Sequence, residues 1–136
     1  MREILFRGKR VGFNEWIEGY YFQRKNNECV EGFVAAQMSE CAAEFKPVYP
    51  ETVGQYTGLT DKNGKKIFEG DIAKIKVDFC TPPTVNAKRF KKDIGVVCFQ
   101  ESSFVVRNGD SIYGMIWITE IIGNIHDNPE LLEGKP

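Results

Sequence analysis

The chain has 136 residues, the length of one ordinary domain, and 18 basic against 19 acidic side chains leave a net charge of -1. Such a balance gives no overall field that would attract nucleic acid or a membrane, so electrostatic binding needs a local patch. The four cysteines form no CxxC pair and there is one histidine, so we expect neither a metal site nor a cofactor. Met1 is followed by charged residues rather than an apolar signal segment, which predicts a cytoplasmic protein with reduced thiols and no membrane partner.

The N-terminal third predicts strands followed by a short helix. Residues 2–7 read as a first strand, and residues 15–23 and 29–35 alternate as a hairpin around a turn at Lys25–Asn27. Residues 38–45 are the best helical candidate, because Ser39 can cap them and two alanines follow.

The middle of the chain carries the clearest turn signals. Residues 61–64 (DKNG) predict a tight turn, and strands at 67–68 and 72–77 are expected to meet at a corner at Glu69-Gly70-Asp71. Residues 80–93 are predicted to form a loop, because the Pro82-Pro83 pair does not fit a central strand.

The C-terminal part predicts more sheet. Residues 94–99 and 104–107 form a predicted hairpin, 112–118 and 120–126 add strands, and Asn128 is expected to cap one helical turn that begins at Pro129. Short apolar runs separated by turns favour a mainly β fold, a small barrel or roll with additional N-terminal strands and one or two short helices. The prediction is a single domain, 1–136, within which an N-terminal subdomain (1–50) and a barrel (51–136) can be distinguished.

Four segments follow one another in an order that is similar to a known family: residues 2–10 (REILFRGKR), 15–22 (EWIEGYYF), 51–72 (ETVGQYTGLTDKNGKKIFEGDI) and 121–133 (IIGNIHDNPELLE). Together they cover nearly the whole chain and resemble the YopX family of phage and prophage proteins. The resemblance implies an SH3-type barrel or roll, self-association and a bacterial host, and it brings no catalytic residue. The chain departs from the family pattern at 80–93, which is longer and more basic, and at His126, where similar chains often carry tyrosine.

A basic segment is the first candidate site. Four cations and one aromatic ring occupy five consecutive positions: Lys88, Arg89, Phe90, Lys91 and Lys92. Such a segment can contact phosphates and stack a base, which predicts nucleic-acid binding. The alternative is a solvated loop, the usual role of a run of like charges.

Three carboxylates, those of Asp61, Glu69 and Asp71, lie in the central motif and are the second candidate site. Carboxylates in a cluster can hold a hard cation or act as acid and base. However, Asp61 stands in a turn sequence, where its side chain is expected to bind the local backbone. His126-Asp127 lacks a nucleophile in a known context, so no catalytic residue is assigned.

An aromatic set is the third candidate site. It exceeds what one small core needs on two strand faces, and its members are Trp16, Tyr20, Tyr21, Phe22 and Tyr56. If some of these rings are exposed, they mark a protein interface; the alternative is that both faces are buried within the domain.

These candidates rank three hypotheses of function. The first is a non-enzymatic, self-associating domain, a homo-oligomer that binds a host or phage macromolecule. The second is a nucleic-acid-binding SH3-like barrel that uses residues 88–92. The third is a small metal-dependent enzyme around Asp61, Glu69 and Asp71.

Overall fold

The computed structural model describes residues 4–26, 29–39, 42–78 and 90–132. The chain divides into two compact units, Met1–Leu59 and Thr60–Pro136. The strands form two antiparallel sheets, and over the described ranges the helical elements are three 3-10 turns. None of the helices in that part of the chain is long and apolar enough to cross a membrane. The prediction of a mainly β fold is confirmed.

The first unit is built on strands that hydrogen-bond in the order β4-β3-β2-β1-β5. Their bounds are β1 Phe6–Lys9, β2 Trp16–Lys25, β3 Val30–Ser39, β4 Ala42–Val48 and β5 Gly54–Thr60, with a 3-10 turn at Pro50–Thr52 before β5. The predicted hairpin of β2 and β3 is confirmed. One face of the sheet, here called the inner face, carries a small core of Ile17, Val34 and Val48.

The helix predicted at 38–45 is wrong. Residues up to Ser39 continue β3, and β4 begins at Ala42, with Ala35 opposite Phe45 and Gln37 opposite Glu44 in the antiparallel register. Two turns of helix are marginally stable alone, whereas β3 offers these residues a complete ladder of backbone hydrogen bonds. Residues 40–41 lie outside the described part of the chain.

The second unit contains a sheet with the order β10-β9-β8-β7-β11. Its strands are β6 Lys66–Phe68, β7 Asp71–Asp78, β8 Phe90–Gln100, β9 Ser103–Asn108, β10 Ser111–Gly114 and β11 Ile118–Asn124, with 3-10 turns at Met115–Trp117 and Pro129–Leu131. A buried apolar cluster packs under this sheet, formed by Ile67, Ala73, Ile75, Val97, Val106 and Ile121.

The corner predicted at Glu69-Gly70-Asp71 is confirmed. Strand β6 ends at Phe68, Gly70 has a φ of +88°, and β7 begins at Asp71. The Asp71 carboxylate accepts a hydrogen bond from the backbone N–H of Phe68 at 2.8 Å, and Gly70 N–H donates to the carbonyl of Val97 at 2.8 Å. A left-handed backbone at this position is open to glycine at little cost.

Three finer predictions are corrected. The sheet of the second unit is open across the described residues, because β10 has only four residues and is followed by a 3-10 turn, so no closed barrel forms. Residues 90–93 are strand rather than loop, since they pair with residues 75–78 of β7, while residues 79–89 lie outside the described ranges. The turn at Pro129 is 3-10 rather than α, and Asn128 does not cap it, because its side-chain oxygen accepts from Asn124 N–H at 3.3 Å.

Candidate binding sites

Four aromatic side chains form a cluster on the outer face of the first sheet. This ring cluster consists of Tyr20, Phe22, Phe33 and Phe45. The Phe22 ring lies 5.1 Å from Phe33 in a stacked arrangement and 5.1 Å from Phe45 in an edge-to-face arrangement. Tyr20 is 61% exposed, Phe45 54% and Phe22 41%, so the cluster is a surface and not a second core.

The register of the three strands brings these rings together. Phe22 stands opposite Phe33, and Tyr20 and Phe45 each stand opposite Ala35. Directly opposed residues share a face of an antiparallel sheet, and alternate residues along a strand return to it. The four rings therefore lie on the face opposite Ile17 and Val34.

An ion pair and a cleft border the ring cluster. Arg24 Nε donates to Glu31 Oε2 at 3.0 Å, and the Arg24 guanidinium lies 5.6 Å from the centre of the Phe33 ring. A cleft of about 460 Å³ adjoins the pair and is also lined by Phe33, Pro47 and Tyr49. The apolar surface thus has a rim that carries both signs of charge.

The predicted interface residues do not share one surface. Tyr20 and Phe22 belong to the ring cluster, whereas Tyr21 points to the inner face, where it packs on the core and lies 6.0 Å from Phe6. Trp16 is half-buried beneath the Arg7 guanidinium, which lies 4.8 Å from the ring centre, and Tyr56 is buried.

Sequence reasoning missed Phe33 and Phe45. Phe45 had been assigned to a helix, which hid its place on the sheet. The alternation that singled out Tyr20 and Phe22 could have found Phe33, because a hairpin places a ring of the returning strand opposite one of the outgoing strand.

Four lysines surround a cleft on the second unit, here called the lysine cleft. It has a volume of about 550 Å³ and is lined by Lys62, Lys74, Lys76, Lys92, Ile75, Asp93, Ile94 and Thr119. Lys74 and Lys76 come from β7, and Lys92 stands opposite Lys76 on β8. Lys62 comes from the turn before β6.

An aromatic ring stands beside the lysine cleft. Phe90, 43% exposed, lies opposite Asp78 and two positions before Lys92, so it shares the face of Lys76 and Lys92. The Lys76 ammonium is 4.3 Å from the ring centre and the Lys92 ammonium is 5.7 Å from it.

The basic segment 88–92 is divided by the structure. Lys88 and Arg89 lie outside the described residues, and Lys91 points to the face opposite Lys92. There the Lys91 ammonium approaches Tyr113, at 5.8 Å from the ring centre, and the contact with the Tyr113 side chain raises the pKa of Lys91. Only Phe90 and Lys92 of the segment adjoin the lysine cleft. Lys62, Lys74 and Lys76 were not singled out from the sequence.

The central carboxylates bind the backbone. Asp61 Oδ1 accepts from Asn63 N–H and Lys65 N–H, each at 2.9 Å, and Oδ2 accepts from Ile121 N–H at 3.0 Å. These bonds, that of Ile121 first, hold the pKa of Asp61 below its usual value. Asp71 closes the corner at Phe68, and Glu69 is half-buried beside it. Within the described ranges, no three His, Cys, Asp or Glu side chains are grouped closely enough to hold a metal ion.

The His126-Asp127 pair lies in a turn. The backbone N–H groups of both residues donate to Asn124 Oδ1, at 3.0 and 2.9 Å. This arrangement explains the two residues as a turn that follows β11.

Fold and surfaces define an antiparallel β protein of two sheets that presents an aromatic surface and a lysine-lined cleft. The chain belongs to the YopX family, since the family model described as YopX protein matches residues 5–133. It is also similar to a solved structure, protein EF1440 from Enterococcus faecalis, with 23% sequence identity and a TM-score of 0.54 over 98% of this chain and 100% of that chain. At that identity the likeness shows the fold alone. No curated protein matches the chain.

Proposed function

We propose that this chain is a non-enzymatic protein of phage or prophage origin that acts in the bacterial cytoplasm as a self-associating β domain. The ring cluster carries the proposal, as the surface on which two copies meet. The second unit is an open roll of the SH3 type in this proposal: a four-strand meander, a 3-10 turn and a last strand that returns to the first.

The exposed rings supply a suitable interface core. An aromatic side chain buries roughly 150–250 Å² when fully covered, and aromatic residues are enriched at interface cores. A standard interface covers about 800 Å² on each partner, so four rings form its centre and the surrounding residues its rim. Covering Tyr20, Phe22 and Phe45 removes apolar surface from water, which is favourable.

The charges around the ring cluster suit a second copy of the same chain. A two-fold interface brings the same patch together twice, so every group must tolerate its own symmetry mate or the mate of a neighbour. The ring cluster is uncharged, and its rim pairs Arg24 with Glu31. Arg24 of one copy can therefore approach Glu31 of the other without leaving a like-charge contact.

Face-to-face packing is favoured over strand addition. The edge strand β4 carries Lys46 and Pro47, and both residue types discourage pairing with a further strand. With the ring cluster covered by a second copy, a host or phage protein partner would bind another part of the surface.

Light scattering coupled to size exclusion tests the proposal. The wild-type protein is expected to elute with a mass near 31 kDa, twice the 15.5 kDa of the chain. Tyr20→Ser combined with Phe45→Ser is expected to give the monomer mass, because polar side chains replace two rings of the interface core.

A matched control is available elsewhere on the surface. Phe13 and Phe99 are 56% and 57% exposed, close to the two cluster residues, and lie outside the ring cluster. Phe13→Ser combined with Phe99→Ser is expected to remain dimeric. A monomeric wild-type protein, or a dimer that survives the Tyr20 and Phe45 changes, would contradict the proposal.

A further inference from the structure

We infer that the lysine cleft binds single-stranded nucleic acid, with phosphates on its lysines and a base on Phe90. The inference rests on the second unit alone and does not need the ring cluster or the dimer. It replaces the linear segment 88–92 with a site assembled from the turn before β6 and from strands β7 and β8.

The first support is a local excess of positive charge on a chain whose net charge is -1. Glu120 is shared by two of the cleft lysines, at 3.3 Å from Lys74 and 3.9 Å from Lys62. In the part of the chain that the structure describes, neither Lys76 nor Lys92 forms an ion pair. Their ammonium groups are therefore available to a polyanion.

The single carboxylate that lines the cleft already has its hydrogen-bond donors. Asp93 accepts from Ile94 N–H, from the Asn108 side-chain amide and from the Tyr113 hydroxyl, each at 2.8 Å. These donors reduce the repulsion that the carboxylate exerts on an incoming phosphate. Four cations against Asp93 and Glu120 leave two positive charges in excess.

The second support is the spacing of the cations. Lys74 and Lys76 are two positions apart on β7, so their Cα atoms are separated by about 7 Å along the strand. This distance is of the order of the spacing between successive phosphates of an extended strand. Lys92 lies opposite Lys76 and widens the row into a groove.

The third support is the ring beside the lysines, which decides between classes of ligand. A single strand exposes the faces of its bases, and aromatic rings next to a positively charged groove are the usual means of binding them. A duplex keeps those faces stacked, and an acidic peptide has no base to stack. Phe90 therefore favours a single strand over both.

Fluorescence anisotropy with labelled oligonucleotides of thymidine and of uridine, twelve nucleotides long, tests the inference on the full chain. Four phosphate contacts on a single strand predict a slope of log K against log salt of about -2.8, at about -0.7 for each contact. Lys76→Gln combined with Lys92→Gln is expected to weaken binding at least about tenfold and to halve the slope. Comparison of the two oligonucleotides shows whether the strand is DNA or RNA.

The neighbouring residue of the same strand supplies the matched control. Lys91→Gln removes the same charge one position from Lys92 but from the opposite face, and it is expected to leave affinity and slope unchanged. Phe90→Leu is expected to lower affinity roughly tenfold while leaving the salt slope as it is, because it removes stacking and no cation.

Four results would overturn the inference. They are no binding at low salt, equal effects of Lys91→Gln and Lys92→Gln, tighter binding of a duplex of the same length, and displacement by polyglutamate with no effect of Phe90→Leu. The last would assign the lysine cleft to an acidic polypeptide. Because the mass of the oligomer is read separately, failure here leaves the dimer proposal intact, and the reverse also holds.

Discussion

Asp61 and Ile121 are sixty positions apart in the chain, and the Asp61 carboxylate accepts the backbone N–H of Ile121 at 3.0 Å. The other oxygen of the same carboxylate closes the turn before β6 through Asn63 and Lys65. One buried side chain thus joins a local turn to the middle of β11. Lys62 of the lysine cleft lies in that turn, so Asp61 also helps to position it.

The stability of the protein is expected to depend on the charge of Asp61. Its pKa in the folded state lies below the usual 3.8, because backbone N–H groups stabilise the carboxylate. The stabilisation is therefore complete above pH 3.8 and is lost as the pH falls from there through the lowered pKa. Asp61→Asn is expected to cost about 2 kcal/mol at neutral pH and to flatten the acid part of the stability profile.

Urea unfolding between pH 7 and pH 2.5 measures this effect. Asp110→Asn is the control, since Asp110 is an exposed turn residue, and it should follow the wild-type profile. Parallel profiles for wild type and Asp61→Asn would show that the carboxylate contributes nothing beyond its shape.

Gly95 is expected to tolerate no side chain. A Cβ there would lie 2.6 Å from Val106 Cγ1 and 2.9 Å from the carbonyl oxygen of Arg107, and the backbone oxygen cannot retreat without distorting β9. Gly95→Ala should therefore destabilise the fold by about 1–3 kcal/mol. Gly114→Ala is the control, because Gly114 has a φ of -69° and its nearest neighbour would be 3.4 Å away, so a change below about 0.5 kcal/mol is expected. Thermal unfolding of both variants decides, and equal midpoints would contradict the prediction.

The turn between β8 and β9 can be improved. Glu101 and Ser102 have φ values of 51° and 69°, the left-handed conformation that two-residue hairpin turns require and that asparagine and glycine adopt more readily. Glu101→Asn combined with Ser102→Gly should stabilise the protein by about 1 kcal/mol.

Ser103→Gly tests whether that gain is specific to the turn. Ser103 is the first residue of β9, where glycine is expected to cost about 0.5–1 kcal/mol. Chemical unfolding measures both variants, and a loss of stability in the turn variant would be the contrary result.

Local signals predicted much of the sheet. Alternation gave β2, β8 and β9, and Gly64 and Gly70 have the positive φ expected of their turns. The prediction failed at 38–45, where alanines favour a helix by intrinsic propensity but the neighbouring strand β3 supplies hydrogen-bond partners. Propensity is a local quantity, and it cannot register a partner that is distant in the sequence.

The binding sites were predictable only in part for the same reason. Tyr20 and Phe22 could be read from one strand, whereas the ring cluster needs the register that sets Phe33 and Phe45 beside them. The lysine cleft had a weak signal, since Lys74 and Lys76 alternate with Ile75 in β7. Its assembly depends on the pairing of Lys76 with Lys92, which no local pattern contains.

The alternation along β8 restricts how this chain can change in length. Successive side chains point to opposite faces, so one residue inserted between Lys92 and Ile94 would turn Phe90 and Lys92 to the side that now holds Lys91. Two inserted residues would restore the parity. Relatives that share the lysine cleft are thus expected to differ by even numbers of residues in this strand, because an odd difference would abolish the cleft while every charge remained.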